Sequence, residues 1–172
     1  VPGAIYKVGA VQFTASSVVS DADFMKANAL HAGENVSQTS VEKTVTALTN
    51  AYKRQGYFYA AVKVDQQRDD AAHTIAYTFT PMPGDPYRLK SLTVNGLQPD
   101  ARAAFDAQWK MKPGDLYDGT YFEDFLKHTI ATPPFISPST GIAHYSGAKM
   151  DAQPNKDDHK VDLTINYQPT GR

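Results

Sequence analysis

The residues of this chain with the clearest capacity for chemistry are its 5 histidines and two Asp-Asp pairs. His73 follows Asp69-Asp70 and His159 follows Asp157-Asp158, and two carboxylates beside an imidazole could hold a hard or borderline divalent metal. Ligands so close in sequence on a strand alternate between its two faces, so the spacing favours a solvated hairpin turn and no metal site is expected. His31, His128 and His144 have no acid or nucleophile at a recognisable spacing and read as surface or helix-end histidines rather than catalytic bases. Ser137-Pro138-Ser139-Thr140-Gly141 supplies hydroxyls but not the strand-to-helix elbow with matched His and acid that a nucleophilic serine needs. Gly33, Gly56, Gly84 and Gly96 stand singly, which leaves no P-loop and no dinucleotide fingerprint. Cysteine is absent, removing thiolate metal sites, disulfides and Cys nucleophiles together. The expectation is a chain with no catalytic residue, no cofactor and no metal.

Composition narrows the partners. Among 172 residues, 17 Lys+Arg stand against 18 Asp+Glu for a net charge of -1, so no field argues for nucleic acid or an anionic membrane. No nucleic-acid partner is expected. Apolar runs such as Phe58 to Val62 fall far short of the ~20 residues of a spanning helix. The start Val1-Pro2-Gly3 lacks Met and any signal-like region, and the chain reads as a mature or trimmed segment of a longer protein. What remains is binding. Tyr57, Phe58 and Tyr59 form a candidate peptide-gripping patch, while the neighbouring Tyr52 is better explained as core. Trp109 fits either a core position or a docking residue.

The elements that would position these residues follow from periodicity. Ala4 to Thr14, with Val11 and Phe13 alternating, predicts a first strand, and Asp21 can cap a short helix through about Leu30 with Phe24 inward. Thr39-Ser40-Val41-Glu42 has capping-box spacing and should start a second helix, whose apolar face is Val41, Val45, Leu48 and Tyr52. Gly56 can end that helix in a left-handed conformation. A strand from Ala60 to Asp65, a polar turn from Gln66 to Ala72, and a strand on Ile75, Tyr77 and Phe79 complete a βααββ order.

Pro81-Met82-Pro83-Gly84-Asp85-Pro86 breaks the chain, and the same order then repeats. An offset of 81 carries Tyr6 to Tyr87, Phe24 to Phe105, Gly33-Glu34 to Gly114-Asp115, Thr39 to Thr120 and Glu42 to Glu123. An offset of 86 carries Lys63 to Lys149, Asp65 to Asp151, His73 to His159 and Tyr77 to Leu163. The difference is an insertion of five residues within Thr132 to Tyr145, where Pro-rich sequence replaces the tight corner at Gln55-Gly56-Tyr57. The predicted architecture is α+β, two tandem βααββ modules (1–82 and 83–172), each a three-stranded sheet covered on one face by two helices. If the first strand of a module pairs with its third, the second is an edge able to accept another chain.

The helix end Tyr52-x3-Gly56-Tyr57-x2-Ala60-x-Val62, the strand end Leu92-Thr93-Val94-Asn95-Gly96 and the turn Pro113-Gly114-Asp115 together resemble a POTRA domain. This is the polypeptide-transport-associated module of the BamA, TamA and two-partner-secretion superfamily of outer-membrane proteins. The resemblance covers essentially the whole chain as two tandem copies. It departs from the pattern where the second copy lacks the Gly-Tyr corner and where the first shows Gln12-Phe13-Thr14-Ala15-Ser16 in place of Asn-Gly.

The resemblance implies a non-enzymatic periplasmic arm tethered to the outer membrane through its parent, with a C-terminal outer-membrane barrel following. Its implied partners are unfolded outer-membrane or secreted polypeptides and accessory periplasmic proteins. They would be received by strand addition or in the groove between the second strand and second helix. The implied receiving edges are Ala61, Val62, Lys63, Val64, Asp65 and Gln66 in the first copy, and Gly147, Ala148, Lys149, Met150 and Asp151 in the second. Because of the insertion, the first should be the better receiver. Two other readings stand beside this one, a cell-division-type POTRA scaffold and a small periplasmic hydrolase with an unrecognised site.

Overall fold

The structure, a computed structural model, describes residues 5–137 and 143–170. The chain divides into two compact units, Val1–Asp85 and Pro86–Arg172. The first unit runs β1 (Lys7–Phe13), α1 (Asp21–Ala27), α2 (Gln38–Lys53), β2 (Ala61–Asp69) and β3 (Thr74–Met82). The second runs β4 (Arg88–Asn95), α3 (Pro99–Gln108), α4 (Tyr121–Thr129), β5 (Tyr145–Asn155) and β6 (Lys160–Pro169). Each has one three-stranded sheet, in the orders β1-β3-β2 and β4-β6-β5. The outer pairs β1/β3 and β4/β6 are parallel, and the hairpin pairs β2/β3 and β5/β6 are antiparallel.

A mixed sheet of this kind can be covered on one face and wet on the other, and burial follows that division. In β3, Tyr77 and Phe79 are buried while the intervening residues are half-exposed. They meet Val8 of β1, Phe24 of α1, and Val41, Leu48 and Tyr52 of α2 in one cluster. Thr44, not Val45, is the fully buried residue on that turn of α2. Its hydroxyl accepts from Ala29 N at 2.9 Å and donates to Ser40 O at 2.9 Å, so a polar side chain ties the end of α1 to α2.

The helix starts differ from expectation. Ser20, not Asp21, caps α1 by accepting from Asp23 N. Ser37, not Thr39, caps α2, with its side chain accepting from Ser40 N. The reason lies just upstream, where Val36 N donates to Tyr6 O. The chain is held against the start of the sheet up to Val36 and must turn into helix at once. Glu42 accepts from Gln38 Nε2 at 3.1 Å instead of closing a box. In the second unit Thr120 is the N-cap residue but makes no side-chain cap bond, and its hydroxyl donates to Asp118 Oδ1. Asp118, at the position of Ser37, also accepts Thr120 N at 2.8 Å.

Two strands also differ. β1 begins at Lys7 and carries a register shift between Val8 and Val11. β2 continues through Gln66-Gln67-Arg68-Asp69, which pair with Tyr77, Ala76, Ile75 and Thr74, so the turn is only 70–73. Those residues are exposed; their polarity marks a sheet end with little cover rather than a loop. Asp69 Oδ1 holds the turn by accepting Ala71 N and Ala72 N.

The helix-to-strand corner of the first unit is a Schellman motif. Gly56 N bonds Lys53 O at 3.2 Å and Tyr57 N bonds Tyr52 O at 3.2 Å, with Gly56 at φ +89. The accompanying apolar contact is Tyr57 edge-on to Tyr52, 6.0 Å between ring centroids. Trp109 in the second unit is core: it is 8% exposed, stacks on Phe105, lies edge-on to Tyr121 and Phe125, and donates Nε1–H to Met111 O at 2.7 Å.

Gly96 ends β4 at φ +83, and a Cβ there would lie 2.3 Å from Tyr167 O. Gly96→Ala combines that collision with left-handed strain and should cost about 2 kcal/mol or more of second-unit stability, read as a lower denaturation midpoint with unchanged slope. Burial pushes the phenols of Tyr117 and Tyr167 up to about 12. A raised folded value favours the neutral form, so this contribution is complete below the ordinary value near 10 and is lost as pH rises from 10 to about 12. The urea midpoint should fall across that window, and Tyr167→Phe should flatten the fall. An unchanged fall would assign it to other groups.

Candidate functional site: the open sheet edges

Each sheet has two outer edges, and the chain closes one of them itself. Along β1, Gly33 N bonds Val8 O, Val8 N bonds Glu34 O and Val36 N bonds Tyr6 O. Along β4, Gly114 N bonds Leu89 O, Leu89 N bonds Asp115 O and Tyr117 N bonds Tyr87 O. The matched Gly-Glu and Gly-Asp pairs are therefore edge covers. Among the described residues no strand pairs with the outer side of β2 or β5.

Side chains along β2 alternate by environment. Val62 and Val64 are half-buried and pack against the core, joined there by Val45 of α2. Ala61, Lys63, Asp65 and Gln66 are exposed, with Lys63 Nζ 2.9 Å from Asp65 Oδ1 on the open face. On β5, Ala148 and Met150 are half-buried and Lys149 and Asp151 exposed. Met150 Sδ accepts from Tyr117 Oη at 3.8 Å. Gly147 is half-buried beside a register shift between Tyr145 and Gly147.

The three aromatic candidates separate. Tyr57 belongs to the corner and packs on the core. Phe58 and Tyr59 lie edge to face, 5.0 Å between centroids, and Tyr59 is 48% exposed just before β2 begins. In the second unit the equivalent of Tyr59 is Tyr145, which is buried and accepts Gln98 N at 2.8 Å. Phe135, within the insertion, is fully buried against Tyr145 and Tyr167. Phe135 and Tyr145 thus contribute core at the start of β5, where the first unit has the exposed Tyr59 beside Phe58. Ser137 is described, while Pro138, Ser139, Thr140 and Gly141 lie outside the described residues.

His73 and His159 sit at φ 50 and 49, and their carbonyls accept Lys7 N and Arg88 N. Their rings contact Tyr6 and Tyr87. Each histidine thereby closes a hairpin and fastens it to the first strand. Among the described residues no group of three or more His, Cys, Asp or Glu could hold a metal. His31 and His144 are exposed, and His128 lies in the last turn of α4.

Sequence reasoning missed two features. Tyr6 Oη donates to Asp70 Oδ1 at 2.6 Å, Arg68 bonds both, and its guanidinium lies 4.2 Å above the Tyr6 ring. The hydrogen bond to Asp70 raises the Tyr6 phenol, and the same bond lowers Asp70. The signal available was Tyr6 and His73 recurring as Tyr87 and His159. The second feature is a groove of about 800 Å³ between α1 and α2, floored by Val18, Ala27, Ala47 and Ala51.

Comparison with known proteins agrees with this geometry. Residues 6–81 match the POTRA family, "Surface antigen variable number repeat". A protein of Treponema pallidum (strain Nichols), named as a candidate outer membrane protein assembly factor, is 20% identical over 98% of this chain, which spans 19% of that relative's length. The structure is similar in fold to Haemophilus influenzae BamA POTRA3-5 (TM-score 0.72, 17% identity, 95% of this chain and 61% of that one). It is also similar to Haemophilus ducreyi BamA lacking POTRA domains 1-3 (TM-score 0.70, 14% identity, 96% of this chain and 30% of that one). The first module thus matches the POTRA family over residues 6–81, and both modules share the fold of solved POTRA domains.

Proposed function

We propose that this chain is the periplasmic arm of an outer-membrane assembly or translocation factor, and that it receives extended polypeptide segments by strand addition. The observation that carries the reading is the asymmetry of the sheet edges. Both modules cover the outer side of the first strand with their own backbone, and among the described residues neither covers β2 or β5. Main-chain hydrogen bonds along such an edge give affinity that tolerates sequence, and alternate side chains add limited selectivity. The partners are unfolded outer-membrane or secreted polypeptides and accessory periplasmic proteins, with a barrel in the parent protein. The names of the similar proteins support that setting. The arm acts as a scaffold and not as an enzyme, in keeping with an edge that binds through backbone groups.

In the first module, the half-buried Val62 and Val64 and the aromatic pair Phe58-Tyr59 line the start of the edge. In the second, the corresponding Tyr145 is buried and Phe135 fills the space beside it. The first edge is accordingly the better receiver.

Titrating the labelled chain with an extended, strand-forming peptide should move backbone amide resonances of Ala61 to Gln66 at lower concentration than those of Gly147 to Asp151. Tyr59→Ala should weaken the first interaction about threefold, the size of a modest aromatic contact. Shifts confined to the helical layer, or equal affinity at both edges, would count against this assignment.

A further inference from the structure

We propose that Pro154 is a stop on the second receiving edge, so that the two modules pair with different lengths of an incoming strand. This rests on the strand-addition reading above and adds to it the register, the length and the side-chain pattern of the segment accepted.

β5 pairs with β6 in unbroken register from Gly147↔Gln168 to Asn155↔Lys160, with Pro154 opposite Val161. Proline has no N–H, and within a paired strand it is tolerated where its nitrogen points away from the partner. The Pro154 nitrogen therefore faces outward. Backbone polar groups alternate in direction along a strand, so Ala152, Met150 and Ala148 also turn theirs to the open edge.

The offset of 86 residues places Arg68 at the position of Pro154. β2 pairs without interruption from Ala61↔Met82 to Asp69↔Thr74, and its hairpin loop, 70–73, has the same length as 156–159. The outward set in the first module is therefore Val62, Val64, Gln66 and Arg68. A second proline checks the parity independently. Pro81 lies opposite Val62 and has no N–H to give β2, which fits a pair whose groups point away from each other. All four outward residues of β2 carry an N–H, whereas on β5 the series ends at Ala152.

The side chains fix the kind of segment. Outward residues Val62 and Val64 point their side chains into the helix-covered layer beside Val45. Lys63, Asp65 and Gln67 line the wet face. A strand added here lies with apolar side chains toward α2 and polar ones toward solvent. The partner is an extended segment of alternating apolar and polar residues. At β2 it can run on past Val64 to Gln66 and Arg68, and at β5 it terminates before Pro154.

Amide exchange in the free 172-residue chain tests the geometry first. Val62, Val64, Gln66, Arg68, Ala148, Met150 and Ala152 should exchange fast, and Lys63, Asp65, Lys149, Asp151 and Gln153 slowly; the opposite alternation overturns the proposal. The chain is then titrated with a blocked peptide of alternating valine and threonine with a lysine at each end. Pro154→Ala should tighten binding at β5 about fivefold, the worth of one net hydrogen bond, and extend its shifted amides to position 154. Gln66→Pro, outward on an edge and so tolerated, should weaken binding at β2 by a similar factor. Binding at both edges with neither variant changing affinity or the span of shifted amides overturns the stop. Shifts at neither edge in any form of the chain overturn the strand-addition reading itself.

Discussion

The parallel pairing of β1 with β3, repeated by β4 with β6, is the constraint on which each module depends. Parallel neighbours cannot be joined by a tight turn; the chain must leave the sheet, travel back over one face and re-enter. α1 and α2 occupy that crossover, which is why both helices lie on the same side and why Tyr77 and Phe79 of the middle strand are buried beneath them. β2 enters after the crossover and pairs by a hairpin to the only free flank of β3. An open edge on β2 is thus a consequence of the topology. Among the described residues no loop bonds the outer side of β2 as 33–36 bonds β1.

The two modules reach the same topology with different chemistry wherever chain meets helix. In the first, Ser16 Oγ lies 2.6 Å from Tyr52 Oη and accepts Val18 N and Val19 N, organising the turn after β1. In the second, that turn is made by Gly96 pressed against the Tyr167 carbonyl. Between the helices, the Thr44 hydroxyl bonded to Ala29 N is replaced by Trp109 packed on Phe105, Tyr121 and Phe125. A directional bond holds a helix pair apart at fixed spacing, while aromatic stacking fills it. The helix pair is tied by a side-chain hydrogen bond in one module and by aromatic packing in the other. The strand pairings do not share that variation.

Much of this was legible in the sequence because strand alternation and helical periodicity are read directly from residue types. The strand cores at Tyr77 and Phe79 follow from alternation, the helix end from Gly56, and the duplication from matched residues at offsets of 81 and 86. Caps were harder. Ser37 and Thr39 are both good capping residues, and what chooses Ser37 is a backbone bond from Val36 to Tyr6, thirty residues away in the chain. The polar run from Gln66 to Asp69 has the composition of a turn, since polarity alone does not separate an uncovered strand from a loop; its pairing with β3 decides. At the candidate site, the edge residues were legible from topology. The burial of Tyr145 was not, because it depends on Phe135 folding in from an insertion whose Pro-rich composition signals only a loop.

An exposed edge invites pairing with any chain, including a second copy of itself. Both edges carry the usual protections in an incomplete form. Lys63 and Asp65 on β2, and Lys149 and Asp151 on β5, place charge on the wet face alone. The helix-facing side keeps Val62 and Val64 or Ala148 and Met150 half-buried. Two copies meeting edge to edge in antiparallel fashion can bring Lys63 opposite Asp65, a pair worth little at a wet surface. They would also have to fit two helical layers against each other. A lone extended segment brings no second layer, so it can use the apolar side that another folded module cannot reach. Under the strand-addition proposal the covering helices therefore do more than close the core: they favour a single strand over a sheet at the open edge.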